Sequence, residues 1–472
     1  MPRIRMQIDS TIRPVDLKAQ LTRLFEVAGN KVHHLNKAWE PARGTPVFTV
    51  AGKYTARGWT EWTQGFQYGC ALLAFDATGD KELLELGRSN TVGRMAPHIT
   101  HTGVHDHAFN NLSTYGNLRR LMREGKIAHN EWEMKFYELA IKASGAVQAA
   151  RWSGVAVRET SPRIAGSTSL GYIYSFNGPH SLFVDTMRTL RILSLAWQLG
   201  HYLAHENDRK ADLLKRAVLH GLCTNQYILF HGDSGHAYDV RGRTAHEALF
   251  NRNDGAFRAR STQQGYSPFS TWTRGLAWAM LGYAEQLEFF ATIDPAKFES
   301  STGISKADVI AAFEEAAKAT CDHYIHDCAA RDGIVYWDDG APGLAKLGDW
   351  RGRDADPFND QEPVDSSASA IAGQGLLRLG RYLGADVGKD YTAAGLSLGR
   401  RLLSDDYLAT DAKHEGLLLH SVYHRPNNWD HIPSGRKIPC NESSMWGDYH
   451  LLELGVYLQR LGENQPYLTF FD

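Results

Sequence analysis

Ser181-Leu-Phe-Val-Asp185-Thr-Met-Arg-Thr-Leu-Arg-Ile-Leu-Ser-Leu-Ala-Trp197 sets one carboxylate among apolar neighbours. Leu182, Phe183, Val184, Met187, Leu190, Ile192, Leu193 and Trp197 have the spacing of the core face of a helix, with Asp185 inside it. An ionised acid there is costly unless it is paired, so Asp185 is expected either to find a partner or to carry a raised pKa. A proton-transfer catalyst needs such a carboxyl. A structural Asp bridging to a neighbouring helix would read the same, and this stretch alone leaves both open.

The helical pattern repeats outward from it. Apolar residues at three- and four-residue spacing predict helices over 15–28, 59–75, 81–95, 112–124, 130–151, 181–204, 209–225, 271–290, 304–324, 366–383, 389–403 and 443–461. Strand-like alternation is confined to 333–337 and 416–423. So many helices without a strict repeat favour helical hairpins closed into a toroid over an open array. Pro and Gly mark no linker, which gives one domain over 1–472, with 1–55 an arm and helix packing on the barrel.

Lys+Arg 51 against Asp+Glu 53 leaves a net charge of -2 with no block of either sign. That balance argues against nucleic acid or a membrane surface as partner. No apolar run has transmembrane length, and Met1-Pro-Arg-Ile-Arg-Met lacks the apolar core of a signal peptide. Five scattered cysteines, Cys70, Cys223, Cys321, Cys328 and Cys440, fit a reduced, cytoplasmic protein.

The loops are rich in aromatic planes mixed with amides and acids. They include Trp59-Thr-Glu-Trp62, His101-Thr-Gly-Val-His105-Asp106-His107, Tyr172-Ile-Tyr174-Ser-Phe176, Gln263-Gln264-Gly-Tyr266 and Trp446-Gly-Asp448-Tyr449. Rings that stack on C–H faces beside groups that bond hydroxyls are what a sugar site requires.

In order along the chain, Trp59-Thr-Glu-Trp62-Thr-Gln-Gly-Phe, His105-Asp106 followed by Phe109, and Val184-Asp185-Thr-Met187 resemble motifs of the unsaturated glucuronyl hydrolases, glycoside hydrolase family 88. Gln264-Gly-Tyr266, Ser270-Thr-Trp272-Thr-Arg274-Gly-Leu-Ala-Trp278, Asp365-Ser-Ser-Ala368 and Trp446-Gly-Asp-Tyr449 continue the resemblance. It implies an all-α (α/α)6 barrel with a few short strands in loops. It also implies removal of a 4,5-unsaturated uronic acid from lyase-generated oligosaccharides, with no cofactor and no metal. In that chemistry a carboxyl protonates C4 of the vinyl ether and water adds at C5, so the carboxyl-separation rule of ordinary glycosidases does not apply.

On this resemblance Asp185 and Asp106 are the catalytic pair, and Trp62, His236, Gln264, Arg274, Trp278 and Trp446 are candidates for binding the substrate. Arg274 suits a uronate carboxylate and Trp278, four residues on, a sugar face. As bare residues, Asp106 could be a helix cap, His236 a surface-loop histidine, and Arg274 or Trp278 core packing. The chain departs from the family at Gln263, where a histidine is expected, at the inserted-looking 241–252, and at 424–437. In this last segment Trp429, with Arg425, Arg436 or Lys437, is expected to meet an acidic or sulfated leaving sugar. Cys321, His323, His326 and Cys328 could suggest a metal, but the two thiols and two imidazoles do not share a helical face. The patch His98, His101, His105 and His107 reads as a sugar-site rim. An unsaturated rhamnogalacturonyl hydrolase, a sugar epimerase and a non-catalytic carbohydrate-binding barrel remain the alternatives.

Overall fold

The computed structural model describes residues 6–58, 61–156 and 169–472. Helices that bury one stripe tend to alternate along the chain with helices buried nearly all round, and that alternation sorts them into two layers. Lys18–Ala38 (α1) buries only the stripe Leu21, Leu24, Phe25, Ala28, Lys31, Val32 and Leu35. Gln64–Thr78 (α2), by contrast, is buried almost throughout. Lys81–Arg94 (α3) again buries one stripe. His107–Asn111, the π turn Leu112–Gly116 and Asn117–Arg123 run on as a buried rod (α4). Glu131–Ala150 (α5) lies outside it.

The sequence continues the same way. Thr186–Thr189 and Arg191–Gln198 (α6) are buried, followed by Leu213–Tyr227 (α7). Thr273–Ala291 (α8) leaves only its last residue outside the core. Lys306–His323 (α9), Ser366–Val387 (α10), Lys389–Leu402 (α11) and Met445–Gly462 (α12) complete the set. α2, α4, α6, α8, α10 and α12 touch in turn and close a ring, with the other six outside: an (α/α)6 barrel. Glycines set the closeness of the inner ring. A Cβ at Gly282 of α8 would stand 2.5 Å from the Met187 backbone of α6, and one at Gly375 of α10 would stand 3.0 Å from Leu281.

The largest departure from expectation is at 181–204. Ser181–Phe183 is a strand (β1), paired antiparallel with Glu247–Phe250 (β2), which pairs in turn with Phe257–Ser261 (β3). Leu182, Phe183 and Val184 are buried on both faces, where aromatic and β-branched side chains fit a sheet as well as a helix. The helix starts only at Thr186, so Asp185 occupies the N-cap position instead of the helix interior. Elsewhere α7 begins at Leu213 because the Asp212 side chain accepts from Lys215 N–H, and the rod α4 begins earlier than expected, at His107. The expected strands near 335 and 418 are single bridges, Ala329 with Val335, Tyr336 with Val364 and Leu408 with Leu418. Trp59 and Thr60 of the expected helix over 59–75, and the start Met1–Arg5, lie outside the described residues.

Four of the inner helices are cross-tied by a buried charge cluster. Arg188 pairs with Glu285 and, at 2.6 Å, with Glu453; Arg191 reaches Glu453 at 3.5 Å, and Arg378 binds Glu288 at 2.7 Å. All six side chains are essentially out of solvent. Removing one member of such a cluster leaves its partners charged, buried and unmatched, which costs about 3–5 kcal/mol. Glu453→Gln is therefore expected to lower unfolding free energy by about that amount in denaturant titration. A loss of a few tenths would show that the arginines find water or another anion.

Candidate active site

One mouth of the barrel opens on a cavity of about 720 Å³. Asp106 reaches it from the N-cap position of α4 and Asp185 from the N-cap position of α6. The β1–β2 register fixes the second of these. Phe183 pairs with Glu247, and one step on, Val184 N–H donates to the His246 carbonyl at 3.1 Å. Asp185 thereby lies beside the His246 ring, with Oδ2 3.8 Å from Nε2. The His246 Nδ1 accepts the Gln263 backbone N–H at 3.0 Å, so the neutral ring carries its proton on Nε2, toward Asp185. The reading of the sequence missed His246, which lies in the segment 241–252 that looks like an insertion.

Asp185 is mostly buried, at 7% exposure, and its Oδ1 has no hydrogen-bond partner in the protein. Such an atom is satisfied by a substrate or solvent group. Across the cavity, burial first and then the Asp185 charge raise the Asp106 pKa to about 7, against the opposing pull of Arg151 and His101. The carboxyl raised toward neutral pH is thus Asp106. His105, whose Nε2 is 3.5 Å from Asp106 Oδ1, is buried and pushed down to about 3, so it stays neutral.

Aromatic rings form the walls. Trp62 stacks on Trp446 at 5.2 Å and tilts against Phe109 at 5.9 Å, and Phe109 packs on Trp278 at 4.9 Å. Trp62, Phe109 and Trp278 face the cavity, as do Phe176, Trp272, Tyr423 and Trp429. Trp446 is completely buried behind Trp62, and its indole N–H donates to Ser367 Oγ at 3.0 Å. His236 is exposed and stacks on Tyr238 at 5.1 Å, away from the cavity lining.

Arg274 lies at the edge of the cavity, but its guanidinium is occupied. Nη1 donates to Asp365 Oδ2 and to the Val422 carbonyl, each at 2.6 Å. Nη2 donates to the Tyr423 carbonyl at 2.7 Å and to Gln264 Oε1 at 3.2 Å. It thus holds the Gln264 amide with its NH2 group free to turn to the cavity, and ties the Tyr423 loop to α8.

Of the segment 424–437, His424, Asn427 and Trp429 line the cavity. Lys437 binds Asp360 at 2.8 Å and Arg436 covers the Phe358 ring. In the histidine patch, His101 and His105 line the site. His98 pairs with Gln64 at 2.7 Å and His107 with Ser144 at 2.8 Å, as packing groups.

No family model matches the chain. It is 25% identical over 422 residues to the unsaturated glucuronyl hydrolase of Bacillus sp. (strain GL1), covering 87% of this chain and 89% of that one. It is 24% identical over 411 residues to an unsaturated chondroitin disaccharide hydrolase of Streptococcus pyogenes serotype M1, covering 86% of this chain and 83% of that one. The crystal structure of the Bacillus sp. GL1 enzyme superposes with a TM-score of 0.65 at 22% identity, over 92% of this chain and 95% of that one. An unsaturated glucuronyl hydrolase specific for heparin superposes at 0.67 and 19% identity, over 94% of this chain and 98% of that one.

The Asp106 shift has a consequence for stability. Its folded pKa lies above the unfolded value of 3.8, so the stability it gives is complete below that value and drains away as pH rises to about 7. Asp106→Asn is free of this loss. Its melting temperature relative to wild type is expected to rise between these two pH values and then level off. A pH-independent difference in thermal unfolding would contradict the shift.

Proposed function

We infer that this chain, a member of the unsaturated glucuronyl hydrolase family, removes a 4,5-unsaturated uronic acid from the non-reducing end of an oligosaccharide. The observation that carries the reading is the carboxyl pair Asp106 and Asp185 in an aromatic-walled cavity, with Asp106 poised near neutral pH.

In the proposed reaction Asp185 delivers a proton to C4, and positive charge develops at C5 next to the ring oxygen. Water adds at C5 and gives up a proton to the same carboxylate, which restores the acid. The resulting hemiketal opens and the aglycone leaves from C1. Asp106 stays protonated below about pH 7, which keeps one acid proton in the cavity. The His246 Nε2–H, facing Asp185 Oδ2, steadies the carboxylate once the proton is gone. Trp62 and Trp278 offer faces to the sugars, and Gln264 an amide to their hydroxyls. Arg274 acts through Gln264 and the Tyr423 loop as a positioning residue, since its own donors are engaged.

The whole chain reads as one catalytic domain. A single buried apolar cluster running from Met6 to Phe471 supports this, as does the packing of α1 on the barrel. Among the described residues no helix is long and apolar enough to cross a membrane. Among the described residues the five cysteines form no disulfide, which supports a reducing compartment.

The test is loss of the conjugated-uronate absorbance on a panel of unsaturated disaccharides. Asp185→Asn is expected to fold as wild type and to lose about 10²–10⁴-fold in kcat/KM, the range for general acid–base catalysis. Residual activity above about a tenth would remove Asp185 from the proton step. Wild-type kcat/KM should fall as pH rises through about 7, where the Asp106 proton is lost.

A further inference from the structure

Behind the aromatic wall, a second cluster of ligating groups has no part in this reaction. His323 ends α9, Cys328 ends the π turn Tyr324–Cys328, and Asp339 comes from the loop facing the start of α8. One ligand atom from each lies within 4.8 Å of the other two, and all three side chains are shielded from solvent. Among the described residues no other group of three or more His, Cys, Asp or Glu side chains is gathered this closely.

The separations are those of ligands around a centre. His323 Nε2 is 3.4 Å from Asp339 Oδ2, and Cys328 Sγ is 3.9 Å from the same oxygen. A tetrahedral zinc ion with ordinary bond lengths sets N···O edges of ~3.4 Å and S···O edges of ~3.6 Å. A charge-assisted hydrogen bond between imidazolium and carboxylate would close to ~2.7–2.9 Å instead. Thr271 Oγ1, hydrogen-bonded to His323 Nε2 at 3.1 Å, stands at the same nitrogen as a candidate fourth donor.

The outer groups fit as well. His323 Nδ1 stands 3.3 Å from Asp327 Oδ2, a carboxylate placed to orient the imidazole once its other nitrogen binds a metal. Asp339 Oδ1 accepts the Thr271 backbone N–H at 2.6 Å, which holds Oδ2 toward the centre. Arg243 Nη2, 3.7 Å from Asp339 Oδ2, brings one positive charge. With a divalent ion it balances the three negative charges of Asp327, Asp339 and a Cys328 thiolate.

We propose that His323, Cys328, Asp339 and Thr271 bind one divalent ion of the zinc type, which clips the end of α9 to the loop in front of α8. Binding displaces the Cys328 thiol proton to solvent as the Zn–S bond forms. The same loop leads into Trp272, and the ion thereby braces one wall of the cavity without touching substrate.

The experiment measures metal in the intact protein after dialysis against zinc sulfate and desalting, and the spectrum of the cobalt-exchanged protein. Wild type is expected to retain about one zinc per chain and to show a thiolate-to-cobalt charge-transfer band. Cys328→Ser should lose the band, and Asp327→Asn should weaken zinc binding about 10–100-fold. Removal of zinc by a chelator should lower the melting temperature of wild type. Wild type that holds no more zinc than Cys328→Ser, with no cobalt–thiolate band, would overturn the site and leave His323 as an imidazolium between Asp327 and Asp339. The wild-type measurements decide this even if a variant fails to fold.

Discussion

Six charged side chains packed out of water across four inner helices are the constraint on which this barrel rests. Arg188 and Arg191 of α6 must meet Glu285 of α8 and Glu453 of α12, while Arg378 of α10 meets Glu288. Buried ions tolerate few geometries, because each lost partner leaves a desolvated charge. The cluster therefore fixes the axial position of α6. Asp185 stands three residues before Arg188, at the end of the same element that opens into the cavity. The Asp185 carboxyl thus inherits the rigidity of the ion cluster below it.

The second constraint is a sheet register. A one-residue slip between β1 and β2 would turn Asp185 and His246 to opposite faces. With Phe183 paired to Glu247, they meet at 3.8 Å. The apolar cavity then does the electrostatic work: it keeps His105 neutral and lifts Asp106 toward neutral pH. The stability lost by burying Asp106 is the cost of a site that keeps a carboxyl protonated toward neutral pH.

Helical spacing made the barrel legible, because apolar residues recur at three- and four-residue intervals on both the inner helices and most of the outer ones. It misjudged 181–185, where a buried strand and a buried helix look alike without knowledge of the partner strand. Asp106, Asp185, Trp62, Gln264, Arg274 and Trp278 were marked by motif and do converge on the cavity edge. Trp446 was marked too, yet it backs Trp62, since sequence cannot tell a wall residue from the one behind it. His236 lies elsewhere, and His246 supplies the imidazole. Arg274 looked like a free cation because its acceptors, Asp365 and the carbonyls of Val422 and Tyr423, lie about 90 to 150 positions away. Long-range polar pairing of that kind leaves no local pattern.

The most direct test of the carboxyl-pair mechanism is cleavage of an unsaturated disaccharide in deuterated water, with the product examined by NMR as it forms. Protonation at C4 with hydration at C5 predicts one deuterium at C4 of the released uronate and loss of its double bond in the same step that frees the aglycone. An unsaturated monosaccharide released with its C4=C5 bond intact and no deuterium at C4 would contradict the account, because it would place the chemistry at C1.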